Sequence, residues 1–218
     1  MDALANPFWS SLTTVHKAFA LEVDGLYRFP ADVVPFLAIE QPGLISDRAL
    51  AELVHEPAYM VGPRPTLPAG WRLDDLGVIV QMICDAPVDL PPGSPIEALG
   101  DPEVLELAAL VYPHYFRPRT TALGRYRGIR TGNHLDAMIG ERMAVPGARE
   151  ISAVCTHPDC IGRGLARRLL AFASNDLFER NETPFLHVSP HNTRALQLYE
   201  QNGYRRRLDV PFWGISAA

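Results

Sequence analysis

The sequence predicts an α/β protein with a mixed central sheet, helices on both faces of that sheet and an added N-terminal α/β lobe. Two observations lead to this prediction. Strand-like and helix-like patterns alternate from residue 76 to the end of the chain. A separate strand–helix–strand pattern precedes a proline-rich stretch at residues 62–71. We therefore divide the 218 residues into an N-terminal lobe, residues 1–75, and a main domain, residues 76–218.

The N-terminal lobe contains one helix between two strands. The segment SDRALAELV, residues 46–54, has helical spacing, and Ser46 is a suitable N-cap. Apolar residues at 36–40 and 58–62 predict the flanking strands. The prolines at residues 62–71 cannot continue a helix or a central strand, so this segment is expected to be a surface connection.

The main domain begins with a continuous apolar, β-branched run that predicts a buried strand, followed by a second proline-rich connection at residues 85–95. The predicted strands cover residues 76–84, 122–130, 134–143, 150–157 and 184–190, with a last strand from residue 204. The predicted helices cover residues 101–111, a segment from the glycine-rich loop to about residue 180, and residues 192–203.

Composition excludes several classes of protein. No apolar run approaches the roughly 20 residues that cross a membrane, and the first residues lack the basic start of a secretory signal. The three cysteines, Cys84, Cys155 and Cys160, are odd in number and lack the spacing of a metal site. We expect free thiols, no bound metal, no membrane association and a cytoplasmic location.

The charge is unevenly distributed. The net charge is −5, yet fifteen of the twenty Lys and Arg residues lie after residue 116, and all fifteen are Arg. This favours either an ordinary solvated surface or a site for a polyanionic small molecule. Nucleic acid is disfavoured because the arginines are dispersed and the whole chain is acidic.

The segment THPDCIGRGLARRLL, residues 156–170, places two glycines between a predicted strand and a basic helix. The first turn of a helix has unpaired N–H groups and the positive end of the helix dipole, and glycines allow a phosphate to approach them. Arg163, Arg167 and Arg168 add positive charge. The segment therefore predicts an anion site.

Three known phosphate-binding motifs can be compared with this segment. A Walker loop requires Lys followed by Ser or Thr after its second glycine, but Leu165 and Ala166 occupy those positions. A dinucleotide-binding GxGxxG would need a small residue at Arg167 and an acid after the next strand. The third motif is Q/R-x-x-G-x-G/A, which residues 161–166 match except at Ile161.

The third motif resembles motif A of the GNAT acyltransferase superfamily. Downstream, Asn192, Ala195, Leu198-Tyr199 and Gly203-Tyr204 resemble the superfamily pattern N-x-x-A-x-x-L-Y-x-x-x-G-F/Y. Residues 123–188 are similar to its glycine N-acyltransferase-like branch. The resemblance covers roughly residues 76–215 and implies the GNAT fold.

The resemblance also implies acetyl-CoA, or another acyl-CoA, as co-substrate. By position in the motif, the pyrophosphate would bind at Gly162, Arg163, Gly164, Leu165, Ala166 and Arg167. The backbones of Val154 and Thr156 would pair with pantetheine. Asn192 would contact the pantetheine or pyrophosphate region, or serve only as a helix N-cap.

Two residues are candidates for catalysis. Glu150 lies eleven residues before the Q/R position, like the catalytic glutamate of histone-acetylating members of the superfamily. We expect Glu150 to be partly buried with its pKa raised toward neutrality, with Glu141 as the reserve base. By position, Tyr199 matches the superfamily's tyrosine near the CoA sulfur, which would protonate the departing CoA thiolate. His157, His187 and His191 are expected to be hydrogen-bonding residues of loops or core.

The predicted activity is N-acyl transfer, most simply of acetyl, to a primary amine of a small molecule or amino acid by direct attack in a ternary complex. The alternative is a catalytically silent acyl-CoA-binding or sensor module that keeps motif A. A homodimer formed through the last strand is a further possibility. The sequence does not identify the acceptor, because a fold can host many substrates.

Overall fold

The computed structural model describes residues 2–111 and 115–218, and most of its strands lie in one mixed sheet. Within this part of the chain the strands are β1 (Leu21–Val23), β2 (Leu26–Arg28), β3 (Phe36–Ala38), β4 (Gly43–Leu44), β5 (Ala58–Val61), β6 (Pro65–Thr66), β7 (Trp71–Cys84), β8 (Glu97–Ala98), β9 (Tyr126–Thr131), β10 (His134–Val145), β11 (Ala148–Thr156), β12 (Thr183–Val188) and β13 (Tyr204–Ala217).

The large sheet has eleven strands among the described residues, in the order β1-β2-β3-β5-β13-β7-β12-β11-β10-β9-β8. The pairs β3–β5 and β11–β12 are parallel, and the other pairs are antiparallel. The short strands β4 and β6 pair separately. The sheet is therefore mixed, as predicted, and it continues from the N-terminal strands into the main domain through β13.

The helices begin at residues that suit helix starts. Within the described residues the α-helices are α1 (Pro7–Thr13), α2 (Asp47–Leu53), α3 (Asp101–Val111), α4 (Leu165–Glu179) and α5 (Thr193–Gln201). Ser46 caps α2 by accepting from the Ala49 amide at 3.0 Å, which confirms the predicted cap.

Alternate residues of the central strands face two different sets of helices. On β7, Val80 and Met82 pack with leucines of α4 and α5, whereas Ile83 packs with residues of α1. This alternation buries apolar side chains on both faces of the sheet. The predicted α/β class, with helices on both faces, is confirmed.

Two features differ from the sequence-based expectation. β7 begins at Trp71, and so crosses the predicted boundary at residues 75 and 76. Its first half is not buried: Leu76 is 44% exposed and Val78 39% exposed, because both line a cavity. The helix α1 was not predicted, although Asn6 caps it by accepting from the Trp9 amide.

The three cysteines are free, as predicted, and all three are buried. In the described ranges, no helix combines the length and the apolar character that crossing a bilayer requires.

Candidate active site

The glycine-rich loop forms the expected junction between a strand and a helix. Gly162 and Gly164 have φ values of +86° and +75°, in the left-handed region that other residues adopt only with strain. Gly164 is the N-cap of α4, and no side chain caps that helix. A Cβ at either glycine would meet no atom within 4 Å, so the loop faces open space. The helix start is therefore exposed to an incoming anion.

The three arginines near the loop differ in their contacts. Arg163 donates to Asp136 Oδ2 at 3.2 Å and contacts Cys160 Sγ at 3.4 Å. Arg168 donates to backbone carbonyls of the proline-rich segment, at Ser94 and Pro91. Arg167 is exposed and makes no ion pair with the residues that the structure describes. Of the three, Arg167 is the guanidinium positioned to meet a phosphate without first breaking a contact.

Asp136 is the centre of a small polar cluster beside the loop. Its burial opposes the charge, but hydrogen bonds from Thr131, His134 and Cys160 and the nearby Arg163 keep the pKa of this carboxyl below its ordinary value. His134, Asp136 and Cys160 place potential metal-ligand atoms within 4.8 Å of one another. The positive charge beside Asp136 is that of Arg163, which already forms an ion pair with this carboxylate.

The strands β11 and β12 diverge next to the loop. Their parallel pairing runs from Ala148–Thr183 to Glu150–Phe185, and both strands then continue without pairing to each other. β11 also changes its register against β10 near Ala153, a non-glycine residue with φ of +49°. Strict strand alternation would place Glu150, Ser152 and Val154 on one face of β11, and this bulge breaks that alternation.

A cavity of about 670 Å³ lies between the diverging strands. One part of its lining comes from the strands and from α5, including Val154, Asn192, Ala195 and Tyr199. A second part is aromatic and comes from Phe8, Phe36, Tyr115 and Phe212. Three of the predicted residues, Val154, Asn192 and Tyr199, therefore share one cavity with side chains of the N-terminal segment, whereas Glu150, Thr156 and residues 162–167 do not line it.

Glu150 is fully buried and paired, not partly exposed. Arg142 donates to it through Nε at 2.8 Å and Nη2 at 2.7 Å, and the Met143 amide donates at 3.2 Å. His187 Nδ1 lies 2.8 Å from Glu150 Oε1. Burial opposes the charge, but Arg142 and His187 together hold the pKa of Glu150 well below its usual range. The expectation of a pKa raised toward neutrality was wrong, because sequence spacing does not reveal this ion pair.

His187 bonds Glu150 and is a residue of the cavity lining, with its side chain 3% exposed. The amide nitrogen Nε2 of Gln81 lies 3.2 Å from His187 Nε2 and can only donate. His187 Nε2 therefore accepts this bond, and Nδ1 carries the proton that is donated to Glu150. The expectation that His187 is a hydrogen-bonding residue is confirmed, and the sequence did not predict its place in the cavity lining.

Glu141, the reserve base, lies elsewhere. It is buried against Arg180 at 2.5 Å and Arg149 at 3.4 Å, in a network that includes Glu182, and it does not line the cavity. This arrangement places Glu141 in a structural ion-pair network.

The predicted residues of α5 lie at the cavity. Tyr199 is 9% exposed, and its ring centroid lies 6.1 Å from that of Tyr204. Asn192 Oδ1 accepts from the Ala195 amide at 3.1 Å, so it caps the helix while also lining the cavity. Of the two predicted residues on β11, Thr156 pairs with Ala137 of β10, whereas Val154 lines the cavity.

Comparisons with known proteins identify the fold and the family. The model of the FR47-like protein family matches residues 126–213. An acetyltransferase of the GNAT family from Novosphingobium aromaticivorans is 32% identical, with 100% of both chains covered and a TM-score of 0.86. A GCN5-related N-acetyltransferase from Kribbella flavida is 15% identical over 100% of this chain and 98% of that chain, with a TM-score of 0.66.

A third structure, a GCN5-related N-acetyltransferase-like protein from Streptococcus suis, is 17% identical over 94% of this chain and 91% of that chain, with a TM-score of 0.59. At such identities the last two structures support the fold alone. No curated protein matches the sequence. The glycine N-acyltransferase-like branch stays a prediction. Since a GNAT acetyltransferase is 32% identical to this chain over its full length, the chain belongs to the GNAT acetyltransferase family.

Proposed function

We propose that the protein transfers an acetyl group from acetyl-CoA to a primary amine of a small molecule, by direct attack in a ternary complex. One observation supports this proposal: the diverging strands and Tyr199 line a single cavity, and the glycine loop follows one of those strands and leads into α4. Each of these features serves one part of the reaction, and the cavity brings a second substrate to the same place.

Residues 162–167 and the start of α4 would hold the pyrophosphate, with Arg167 supplying charge. The backbones of Val154 and Thr156 are our candidates for pairing with pantetheine, since β12 does not occupy the neighbouring edge of β11 there. Asn192 keeps its cap and lies at the cavity beside them.

In the reaction, the amine nitrogen forms a bond to the thioester carbonyl carbon, and the carbon–sulfur bond then breaks. The amine must lose a proton and the departing thiolate must gain one. We assign the second task to Tyr199, whose side chain lines the cavity on α5.

We assign the first task to the pair formed by His187 and Glu150. His187 belongs to the cavity lining and Glu150 does not, so an amine in the cavity would reach this pair through His187, whose side chain is 3% exposed. Glu150 would fix the tautomer and stabilise the charge on the ring once His187 accepts a proton. For this step His187 Nε2 must lose the hydrogen bond that Gln81 donates and accept one from the amine.

A second candidate function is a catalytically silent acetyl-CoA-binding module. The lowered pKa of Glu150 and its two bonds from Arg142 favour this alternative, since this carboxylate is a poor proton acceptor.

Release of CoA thiol from acetyl-CoA separates the two functions. The assay uses the whole chain with a library of amines and amino acids, and calorimetry measures CoA binding in parallel. Amine-dependent thiol release supports the transferase. Tight CoA binding with no thiol release above the amine-free rate would leave the silent module.

A further inference from the structure

Gln81 is a fully buried polar residue in the middle of the sheet, next to His187. The register of β7 and β12 pairs these two residues directly. The amide nitrogen Nε2 of Gln81 donates to the Leu4 carbonyl at 3.0 Å and lies 3.2 Å from His187 Nε2. Its oxygen Oε1 accepts from Arg207 Nη1 at 2.7 Å. Both ends of this buried amide are therefore hydrogen-bonded.

The partners of Gln81 determine which way its amide points. A guanidinium can only donate a hydrogen bond, and a backbone carbonyl can only accept one. If the amide turned over, its NH2 group would face the guanidinium of Arg207 and its oxygen would face the carbonyl of Leu4. Two hydrogen bonds would then be lost at once in a buried place. The end of Gln81 that faces His187 is therefore the donating end.

Arg207 is brought to Gln81 by an irregularity of β13. This strand shifts its register against β7 between Arg206 and Leu208, so that Arg207 is the extra residue of a bulge. Arg207 Nη1 also donates to the Leu4 carbonyl at 3.3 Å, and Nη2 pairs with the carboxylate of Asp2. The guanidinium is thus held by three partners besides packing, and the amide of Gln81 has little freedom to turn.

The protonation of the His187 ring is the property that this arrangement affects. Glu150 Oε1 lies 2.8 Å from Nδ1, and a carboxylate at that distance favours the protonated, positively charged ring. A ring that is already charged cannot take a proton from an amine. A donor that faces Nε2 has the opposite effect, because it stabilises the neutral ring and leaves a proton on Nε2 without an acceptor.

The other charged groups near the ring act in the same direction as Gln81. Arg142 donates two hydrogen bonds to Glu150 and so offsets the negative charge beside Nδ1. Arg207 is a cation on the Nε2 side, partly balanced by the half-exposed Asp2. Neither cation touches His187, so the atom that meets Nε2 directly is the amide nitrogen of Gln81.

We propose that Gln81 is a positioning residue, held by Arg207 and the Leu4 carbonyl, that keeps His187 Nε2 free of a proton and so keeps the ring able to accept one. Gln81 does not line the cavity and acts through His187. The consequence for catalysis rests on the proposed function, but the protonation of the ring is measurable without any reaction.

The first measurement is made on the wild-type chain. Long-range ¹H–¹⁵N NMR spectra distinguish a bare ring nitrogen from one that carries a proton, and the signals missing in His187→Gln assign the ring. At neutral pH we expect a bare Nε2 and a protonated Nδ1. A ring with a proton on Nε2 at neutral pH, with or without one on Nδ1, would overturn the inference.

The second measurement is the pH midpoint of His187 protonation in variants. Gln81→Glu keeps the shape and the bond from Arg207 but turns an acceptor toward Nε2, so we expect the midpoint to rise by about 2 pH units. Gln81→Met removes the donor without adding a charge and should give a smaller rise, and it replaces Gln81→Glu if the latter does not fold. An unchanged midpoint in a folded Gln81 variant would contradict the inference.

The matched control is Asn175→Leu. The amide of Asn175 also bonds two buried or partly buried backbone groups, both at Val88, but it has no contact with His187. This variant should lose stability while the midpoint of His187 stays as in wild type. A rise equal to that of the Gln81 variants would mean that loosened packing, not the lost donor, changes the ring.

Thiol release then connects the ring to the reaction. In Gln81→Glu the acidic limb of the profile of kcat/KM against pH should move to higher pH by the same amount as the midpoint, at unchanged CoA affinity. A shifted midpoint with an unmoved limb would overturn the positioning role in catalysis. If wild type releases no thiol with any amine, the proposed transferase itself fails, whereas the NMR result on Gln81 and His187 is unaffected.

Discussion

His187 Nδ1 lies 2.8 Å from Glu150 Oε1, and His187 belongs to the cavity lining whereas Glu150 does not. In the proposed function, the carboxylate would orient the imidazole, and the imidazole would be the group that meets the amine. This relationship assigns different tasks to the two residues, which different variants can distinguish.

Glu150→Gln keeps the shape of the side chain but removes its charge. We expect kcat to fall on the order of 100-fold with little change in CoA affinity, because His187 loses the anion that stabilises its protonated form. The buried Arg142 also loses its counter-charge, so the free energy of unfolding should fall by about 3–5 kcal/mol. Steady-state kinetics, calorimetry and urea unfolding measure the three quantities.

The matched variant is His187→Gln, which leaves the pair of Glu150 and Arg142 in place. It should lower kcat at least as much as Glu150→Gln while reducing stability less. Because the pKa of Glu150 is held well below its usual range, Glu150 cannot produce an acidic limb of the rate–pH profile near neutrality. Such a limb surviving unchanged in His187→Gln would remove His187 from the proton path.

Tyr199→Phe removes one hydroxyl and keeps the ring. We expect kcat to fall roughly 10- to 1,000-fold at unchanged CoA affinity, because the thiolate loses its proton donor. The control is Tyr204→Phe, since Tyr204 is buried nearby and bonds Ser174 at 2.8 Å. That variant should lose about 1 kcal/mol of stability with kcat retained. Equal turnover by wild type and Tyr199→Phe, with chemistry rate-limiting, would make Tyr199 a core residue.

Gly164→Glu places a carboxylate where the pyrophosphate should bind. We expect CoA affinity to weaken by about 2 kcal/mol or more, measured by calorimetric titration. Gly147→Glu is the control: its φ of +76° matches the +75° of Gly164, so both variants introduce the same charge at a similarly strained position. Gly147 lies in the turn before β11, at the opposite end of that strand from the loop. Equal CoA affinity of the two variants would mean that the loop is only a turn.

His16 predicts a loss of stability in mild acid. Burial, and secondly the nearby charge of Arg149, lower the pKa of His16 from 6.5 to about 4. Below pH 6.5 the unfolded chain takes up a proton that the folded chain refuses, so stability falls as the pH falls, until pH 4 is reached. Between pH 7 and pH 5 this amounts to about 2 kcal/mol.

Urea unfolding of wild type and His16→Asn at both pH values isolates this contribution. The variant should lose the hydrogen bond between Ser11 and His16 at pH 7, yet its stability should depend less on pH. If the two proteins lose equal stability between pH 7 and pH 5, His16 is not the group responsible.

Local patterns predicted much of the fold. The cap at Ser46, the helix at residues 101–111 and the helix after the glycine loop each depend on neighbouring residues, and each was confirmed. The exposure of Leu76 and Val78 could not be predicted, because their apolar character suits both a core and a cavity wall.

The site was predicted less completely than the fold, for a physical reason. The contact of Glu150 with His187 depends on the parallel register of β11 and β12, which pairs Glu150 with Phe185 and brings His187 to the same side. The bond from Arg142 depends on the antiparallel register of β10 and β11, which shifts between residues 141 and 144. The register between two paired strands leaves no trace in the local sequence pattern of either strand.

The strand β13 limits how the protein can move. It is bonded to β5 along residues 212–215 and to β7 along most of its length, so the N-terminal strands share one uninterrupted backbone network with the rest of the sheet. A hinge between them would have to break several backbone hydrogen bonds at each opening. Binding of a ligand would therefore be accommodated by side chains and loops, not by a hinge between these parts of the sheet.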